Sequence, residues 1–173
     1  MKLKLIFKEL FILIALIGIS SCKQDAKKKT DSIEKTRSIG IYNFDNKQEL
    51  IEYNKMNLGE SHPNLLNPQI SKTDYDSVME SWTDLHQQIG NYLSENKFTW
   101  EVEDETITIV HKIYFEPNGE IENYFFNVLN QTVTKEKKEQ FADLISDFAE
   151  TNRIDFKRDK SFAQCGKTKY LNE

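Results

Sequence analysis

The chain is short of the residues that build special scaffolds. Two cysteines in 173 residues exclude a disulfide-dense fold. Six glycines and three prolines exclude a collagen-like or low-complexity chain, and the composition does not suit a coiled coil. The unbroken apolar run from Leu10 to Ile19 spans ten residues, whereas a membrane-spanning helix needs about 20. What the chain does have is bulk. Eleven Phe, seven Tyr and two Trp are too many large apolar side chains for a disordered protein. With 38% hydrophobic and 29% charged residues, the sequence reads as one folded domain.

The first residues carry an address. Lys2, Lys4 and Lys8 form a positive segment ahead of the apolar run, the pattern of a secretory signal. The run ends at Ile19-Ser20-Ser21-Cys22: an aliphatic residue, two small ones, then cysteine. This resembles the lipobox of bacterial lipoproteins. The resemblance implies removal of residues 1–21, diacylation of the Cys22 thiol and a lipid anchor, each buried CH₂ of which contributes about 0.8 kcal/mol. A lysine, not an aspartate, follows at position 23, which in Gram-negative lipoproteins favours the outer membrane. The other reading is an ordinary secretory signal that happens to contain a cysteine, using Gly18 and Ser20 as its small residues.

Residues 22–37 read as the lipidated cysteine and a charged tether. Ala26 and Ile33 are the apolar residues after Cys22, and six basic side chains stand against three acidic ones, so no core can form there. Such a stalk suits anionic head groups. Residues 38–173 are the opposite, with 14 basic and 24 acidic side chains, a net −10. That balance excludes nucleic acid as a partner.

Within 38–173 the periodicity predicts an α+β fold: a small antiparallel sheet, made of a hairpin and a terminal strand, packed against two or three helices. Ile39–Phe44 reads as a short strand. Asn46 with Glu49 opens a helix near 47–57. Residues 57–72 hold Gly59, Pro63 and Pro68 without a clear period and read as a long loop. A second helix is marked by Tyr75, Val78, Met79, Trp82, Leu85, Ile89 and Leu93, with Ser71 or Thr73 as its cap and Asn96 at its end. Thr106–Phe115 and Ile121–Leu129 flank Pro117-Asn118-Gly119 and read as a hairpin. A third helix runs from Thr134 to about Thr151, with Asn152 expected as a left-handed cap. A strand over 161–170 closes the chain.

In the hairpin, Ile107, Ile109, His111, Ile113 and Phe115 alternate with Thr108, Val110, Lys112 and Tyr114. Tyr124, Phe126 and Val128 alternate with Ile121, Phe125 and Leu129. Both faces are therefore substantially apolar. The order hairpin, helix, final strand over 106–170, with Tyr114-Phe115 before Gly119 and Ile121 after it, resembles the C-terminal domains of the TonB energy-transducing family. That likeness is one of topology, without a Pro-rich linker.

No catalytic or metal constellation stands out. Cys165 reads as a half-buried strand cysteine, or else a nucleophile if a histidine lies beside it. His111 sits on the more apolar strand face. It reads as a core or rim histidine, or else as a base or ligand with His62 and His86, although the three are 24 and 25 residues apart and lack metal-ligand spacing. Gly166-Lys167-Thr168 matches the end of a P-loop, but Ser161 stands where its first glycine belongs. Glu101, Glu103, Asp104 and Glu105 lack EF-hand spacing and read as a solvated turn. The loop around Ser61, His62 and two exposed-looking leucines, Leu65 and Leu66, is the region most open to a function, with structural wrapping across the sheet as the alternative.

The resulting expectation is a non-enzymatic envelope lipoprotein that binds a protein partner or a ligand, without cofactor or metal. Tyr114, Tyr124 and Phe126 are the expected contact residues, with core packing as the other reading of each, and His62 joins them as a binding candidate. The alternatives are an envelope hydrolase working through His111 or Cys165, and a structural subunit of an envelope complex.

Overall fold

The computed structural model describes residues 39–172. The signal segment, Cys22 and the tether lie outside the described residues. The elements run β1 (Gly40–Asn43), α1 (Lys47–Met56), α2 (Tyr75–Glu95), β2 (Thr106–Phe115), β3 (Ile121–Val128), α3 (Lys135–Thr151) and β4 (Phe162–Leu171). They form an α+β fold with one open sheet in the order β1-β3-β2-β4. β2 is antiparallel to both β3 and β4. β1 joins the β3 edge in parallel, so the sheet is mixed. The intervening α1, α2 and β2 provide the long connection that a parallel pair requires.

Local chemistry accounts for most element ends. The Asn46 side chain accepts from the N–H groups of Gln48 and Glu49, satisfying two donors that the first turn leaves free. Glu49 reaches back to the N–H of Asn43 at 2.7 Å, so the box closes on the end of β1. Thr134 caps α3 by accepting from Lys137. α2 departs from expectation: neither Ser71 nor Thr73 caps it. It starts at Asp74, whose side chain makes no cap bond because Arg158 engages its carboxylate at 2.6 Å. Asn152 is extended, not left-handed, and its side-chain amide donates to the Phe148 carbonyl at 2.8 Å. Gly119 holds the hairpin turn at φ +88°, where a Cβ would stand 2.4 Å from the Ile154 carbonyl oxygen.

Both faces of the sheet are covered. α2 and α3 lie over the face that carries Ile107, Ile109, His111, Ile113, Tyr124 and Phe126, and all six are sealed from solvent. Val78, Leu85 and Ile89 of α2 and Phe141, Ile145 and Phe148 of α3 complete this core. The other face is closed by α1, whose Tyr53 stacks on Phe125 with ring centroids 4.4 Å apart. No residue of α1 is itself buried, so it acts as a cover more than as a core element.

A bulge refines the strand faces. Tyr114 pairs with Asn123 but Phe115 pairs with Ile121, leaving Glu122 as the extra residue. Ile121 thereby turns to the Phe115 side and is fully buried, instead of sharing a face with Phe125 and Leu129. The 57–72 loop is a strap on the outer edge of β4. Ala163 donates to the Pro63 carbonyl at 3.0 Å, and Leu65 donates back to Ala163 at 2.8 Å. Asn64 accepts from the Cys165 N–H. Leu65, expected to be exposed, is buried by this pairing.

Candidate functional site

The helical spacing of α2 stacks Trp82 and His86 on one face, four residues apart. The period of two in β4 puts Gly166, Thr168 and Tyr170 on the sheet face below, and β2 adds His111, which pairs with Gly166. The Trp82 indole meets the His86 ring edge-on at 4.1 Å, and the two imidazoles lie 4.4 Å apart. A Cβ on Gly166 would come within 2.8 Å of the indole, so glycine is what lets α2 approach the strand.

Hydroxyls serve the two imidazoles. His111 meets the Tyr124 hydroxyl through Nδ1 at 2.8 Å and the Thr168 hydroxyl through Nε2 at 2.7 Å. His86 meets the Tyr170 hydroxyl through Nδ1 at 2.6 Å. Its Nε2 is buried with no hydrogen-bond partner among the described residues, an arrangement that costs free energy unless something else fills it. Burial pulls His86 down to about 3. Burial, with His86 as a smaller contributor, holds His111 well below the ordinary imidazole value. Burial also raises both phenols, Tyr124 and Tyr170, above their usual range. The network is neutral around pH 7.

Alongside it opens a groove of about 640 Å³ between α2, the segment 97–100 and the C-terminal half of β4. That volume suits a small organic molecule, for which pockets of about 300–1,000 Å³ are usual. Trp82, Leu93, Phe98, Trp100 and Tyr170 supply the apolar wall, and His86 stands among them. Beyond the strap at Ala163, no strand or loop of the described residues pairs with the outer edge of β4, which leaves the groove flanked by an open edge.

Of the expected contact residues Tyr124 belongs to this network while Tyr114, Phe126 and His62 lie elsewhere, and none of them is a surface. Tyr124 and Phe126 are 0% exposed; the first sits under His111 and the second against Phe141 at 5.0 Å. Tyr114 is buried on the opposite face, its hydroxyl 2.6 Å from that of Tyr53. The two-sided apolar character reflects a sheet covered on both sides. His62 is buried edge-on to Tyr114. Its Nε2 lies 3.0 Å from the Glu122 carboxylate and its Nδ1 2.8 Å from the Ser61 hydroxyl.

His111 is sealed and spends both nitrogens on hydroxyls, so it presents no base to a substrate. Cys165 pairs with Lys112 and so faces away from His111. Burial raises its thiol above the usual range, with Lys112 acting in the opposite sense, so the thiol stays protonated and unreactive. Among the described residues, no three His, Cys, Asp or Glu side chains converge as a metal would require. Gly166-Lys167-Thr168 lies within β4 and cradles nothing. Glu101 pairs with Lys137 at 2.6 Å.

As site residues Trp82, Thr168 and Tyr170 escaped the sequence reading, which put Trp82 in the apolar stripe of α2 and Thr168 at the end of a P-loop match, and His86 entered it only as a partner of His111. Their signals, an aromatic and a histidine one turn apart and alternate polar residues in a strand, are those of ordinary core positions. Comparison with protein-family models, curated proteins and solved structures finds no match to this chain.

Proposed function

We propose that the chain is a lipid-anchored protein of the bacterial cell envelope, outer-membrane in location, held through acylated Cys22, whose α+β domain binds a small, largely apolar ligand in the groove between α2 and β4. The anchor rests on Ile19-Ser20-Ser21-Cys22 and the segment before it. The binding role rests on one observation above all: an aromatic-walled groove beside a buried imidazole nitrogen that no described residue satisfies. A binding role also agrees with the sealed state of His111 and the protonated state of Cys165.

Two experiments test the parts separately. Cys22→Ser is expected to release the chain from membranes, and full retention in the membrane fraction would end the anchor reading. For the groove, the probe is 1-anilinonaphthalene-8-sulfonate. The folded chain is expected to bind it at one saturable site, and Gly90→Phe to abolish that site. Gly90 faces the groove, and a Cβ there meets only the Tyr170 ring at 3.7 Å, so the variant fills the space without a backbone clash. Dye binding that is non-saturable, or unchanged in Gly90→Phe, sinks the reading.

One specific observation favours a second reading. Ser61, His62 and Glu122 form a hydroxyl–imidazole–carboxylate chain, the arrangement that activates a serine nucleophile. On this reading a hydrolase would work through Ser61, on the opposite face from the groove, in place of His111 or Cys165. Covalent labelling by a fluorophosphonate, lost in Ser61→Ala, is its expected sign. An unlabelled wild-type chain rejects it.

A further inference from the structure

The direction of every hydrogen bond beside the groove follows from which hydroxyls are sealed. Tyr124 is wholly buried, and the His111 Nδ1 is its hydrogen-bond partner. A buried O–H left undonated costs about 1–3 kcal/mol, so Tyr124 donates and Nδ1 accepts. A neutral imidazole carries one N–H, which places the His111 hydrogen on Nε2, directed at the Thr168 oxygen. The same rule governs the second imidazole. Tyr170, also buried, passes its hydrogen to the His86 Nδ1 at 2.6 Å. His86 is thereby left with its hydrogen on Nε2, the one nitrogen of the pair with no partner. The orphan is a donor.

Charge around the groove has one sign. Its walls contain no aspartate or glutamate, although residues 38–173 carry a net −10. The charged residues that line it, Lys97 and Lys169, make no ion pair among the described residues.

The geometry points to an anionic ligand, an aromatic or otherwise apolar body bearing a carboxylate, whose oxygen accepts the His86 Nε2–H. This deepens the groove reading above and rests on it. In the free protein Nε2 is closed to solvent. Trp82, edge-on to His86 and part of the groove wall, is the side chain placed to yield as the oxygen enters.

The test uses the full-length chain in lipid nanodiscs with ¹⁵N-labelled histidine, and three probes of similar shape: 2-naphthoate, naphthalene and 2-naphthylmethylammonium. Without any probe, His86 is expected to carry its hydrogen on Nε2. Naphthoate is expected to bind roughly ten-fold or more tightly than the other two, because a hydrogen bond to a charged group is worth about 1.5–3 kcal/mol, and to shift the His86 Nε2 resonance. His86→Phe should keep naphthalene binding and erase the naphthoate advantage. Tyr170→Phe, which removes the donor to Nδ1, should give His86 a mixture of tautomers and shrink the advantage. A His86 hydrogen on Nδ1, or equal affinity for all three probes, overturns the acceptor assignment while leaving the groove reading standing. Failure of all three to bind overturns both, and water alone would then occupy the Nε2 position.

Discussion

His62 and His111 both use their two ring nitrogens, on opposite faces of one sheet, and differ in what stands across from them. Opposite His62 is the Glu122 carboxylate, a third exposed, and a serine hydroxyl on a strap. Opposite His111 are only hydroxyls, in an interior closed by α2, with the His86 ring 4.4 Å away. The first arrangement ties a loop to a sheet and stays in touch with water. The second is a buried group of rings and hydroxyls in which the His86 Nε2 has no hydrogen-bond partner among the described residues. The same residue type is a fastener on one face and a candidate binding group on the other, and the difference is made by depth and by the charge of its neighbours.

The contrast breaks most visibly through the aromatic pair that straddles the sheet. Phe126 faces the sealed core and Phe125 faces α1. Phe126→Ala is expected to cost about 3–5 kcal/mol, and Phe125→Ala no more than about half of that, since its burial is partial. Urea midpoints decide it, and equal losses would make the α1 face a second core.

Acid gives the next largest effect. His86 falls from an ordinary 6.5 to about 3 on folding, so below pH 6.5 the unfolded chain binds the extra proton and stability falls with pH. The contribution is whole above about pH 6.5 and drains away down to pH 3. At pH 5 the loss from His86 alone is about 2 kcal/mol. Denaturation at pH 7 and pH 5 should show it in the wild type and a weaker dependence in His86→Phe; identical dependence would mean His86 is protonated in the folded state. The smallest effect concerns the strap. Glu122→Gln should cost about 1 kcal/mol or less, with faster hydrogen exchange confined to residues 57–72. Faster exchange across β2 and β4 as well would show that the strap supports the sheet and does not merely cover its edge.

Much of this architecture is readable in the chain because it depends on near neighbours. The apolar spacing of α2 and the Asn46 and Thr134 caps each rest on residues within a few positions of one another, as does the Pro117-Asn118-Gly119 turn. The readings that failed depended on distant ones. Asp74 gives up its cap because Arg158, 84 residues on, takes its carboxylate. Leu65 looks exposed until Ala163 covers it. Ile121 changes face through a bulge that only the pairing with Phe115 reveals. Met79 follows the helical period and is 38% exposed, because that period marks a stripe and not its width.

The candidate site was legible only in fragments. His86 and His111 were visible as histidines, and their lack of metal-ligand spacing was visible as well. Nothing local shows that their rings lie 4.4 Å apart, or that Tyr170 and Thr168 hold them.

The sequence by itself determined the helices of α2 and α3, the hairpin and the α+β class, because the alternation of apolar residues and the sterics of caps and turns act within a few bonds. The tertiary structure alone decided the parallel seat of β1 on β3, the strap on β4, and the bonds Tyr124–His111–Thr168 and Tyr170–His86. Those depend on which faces of separate elements meet once water is excluded, and a hydrogen bond between residues 84 positions apart exists only after the sheet and its helices have closed around it.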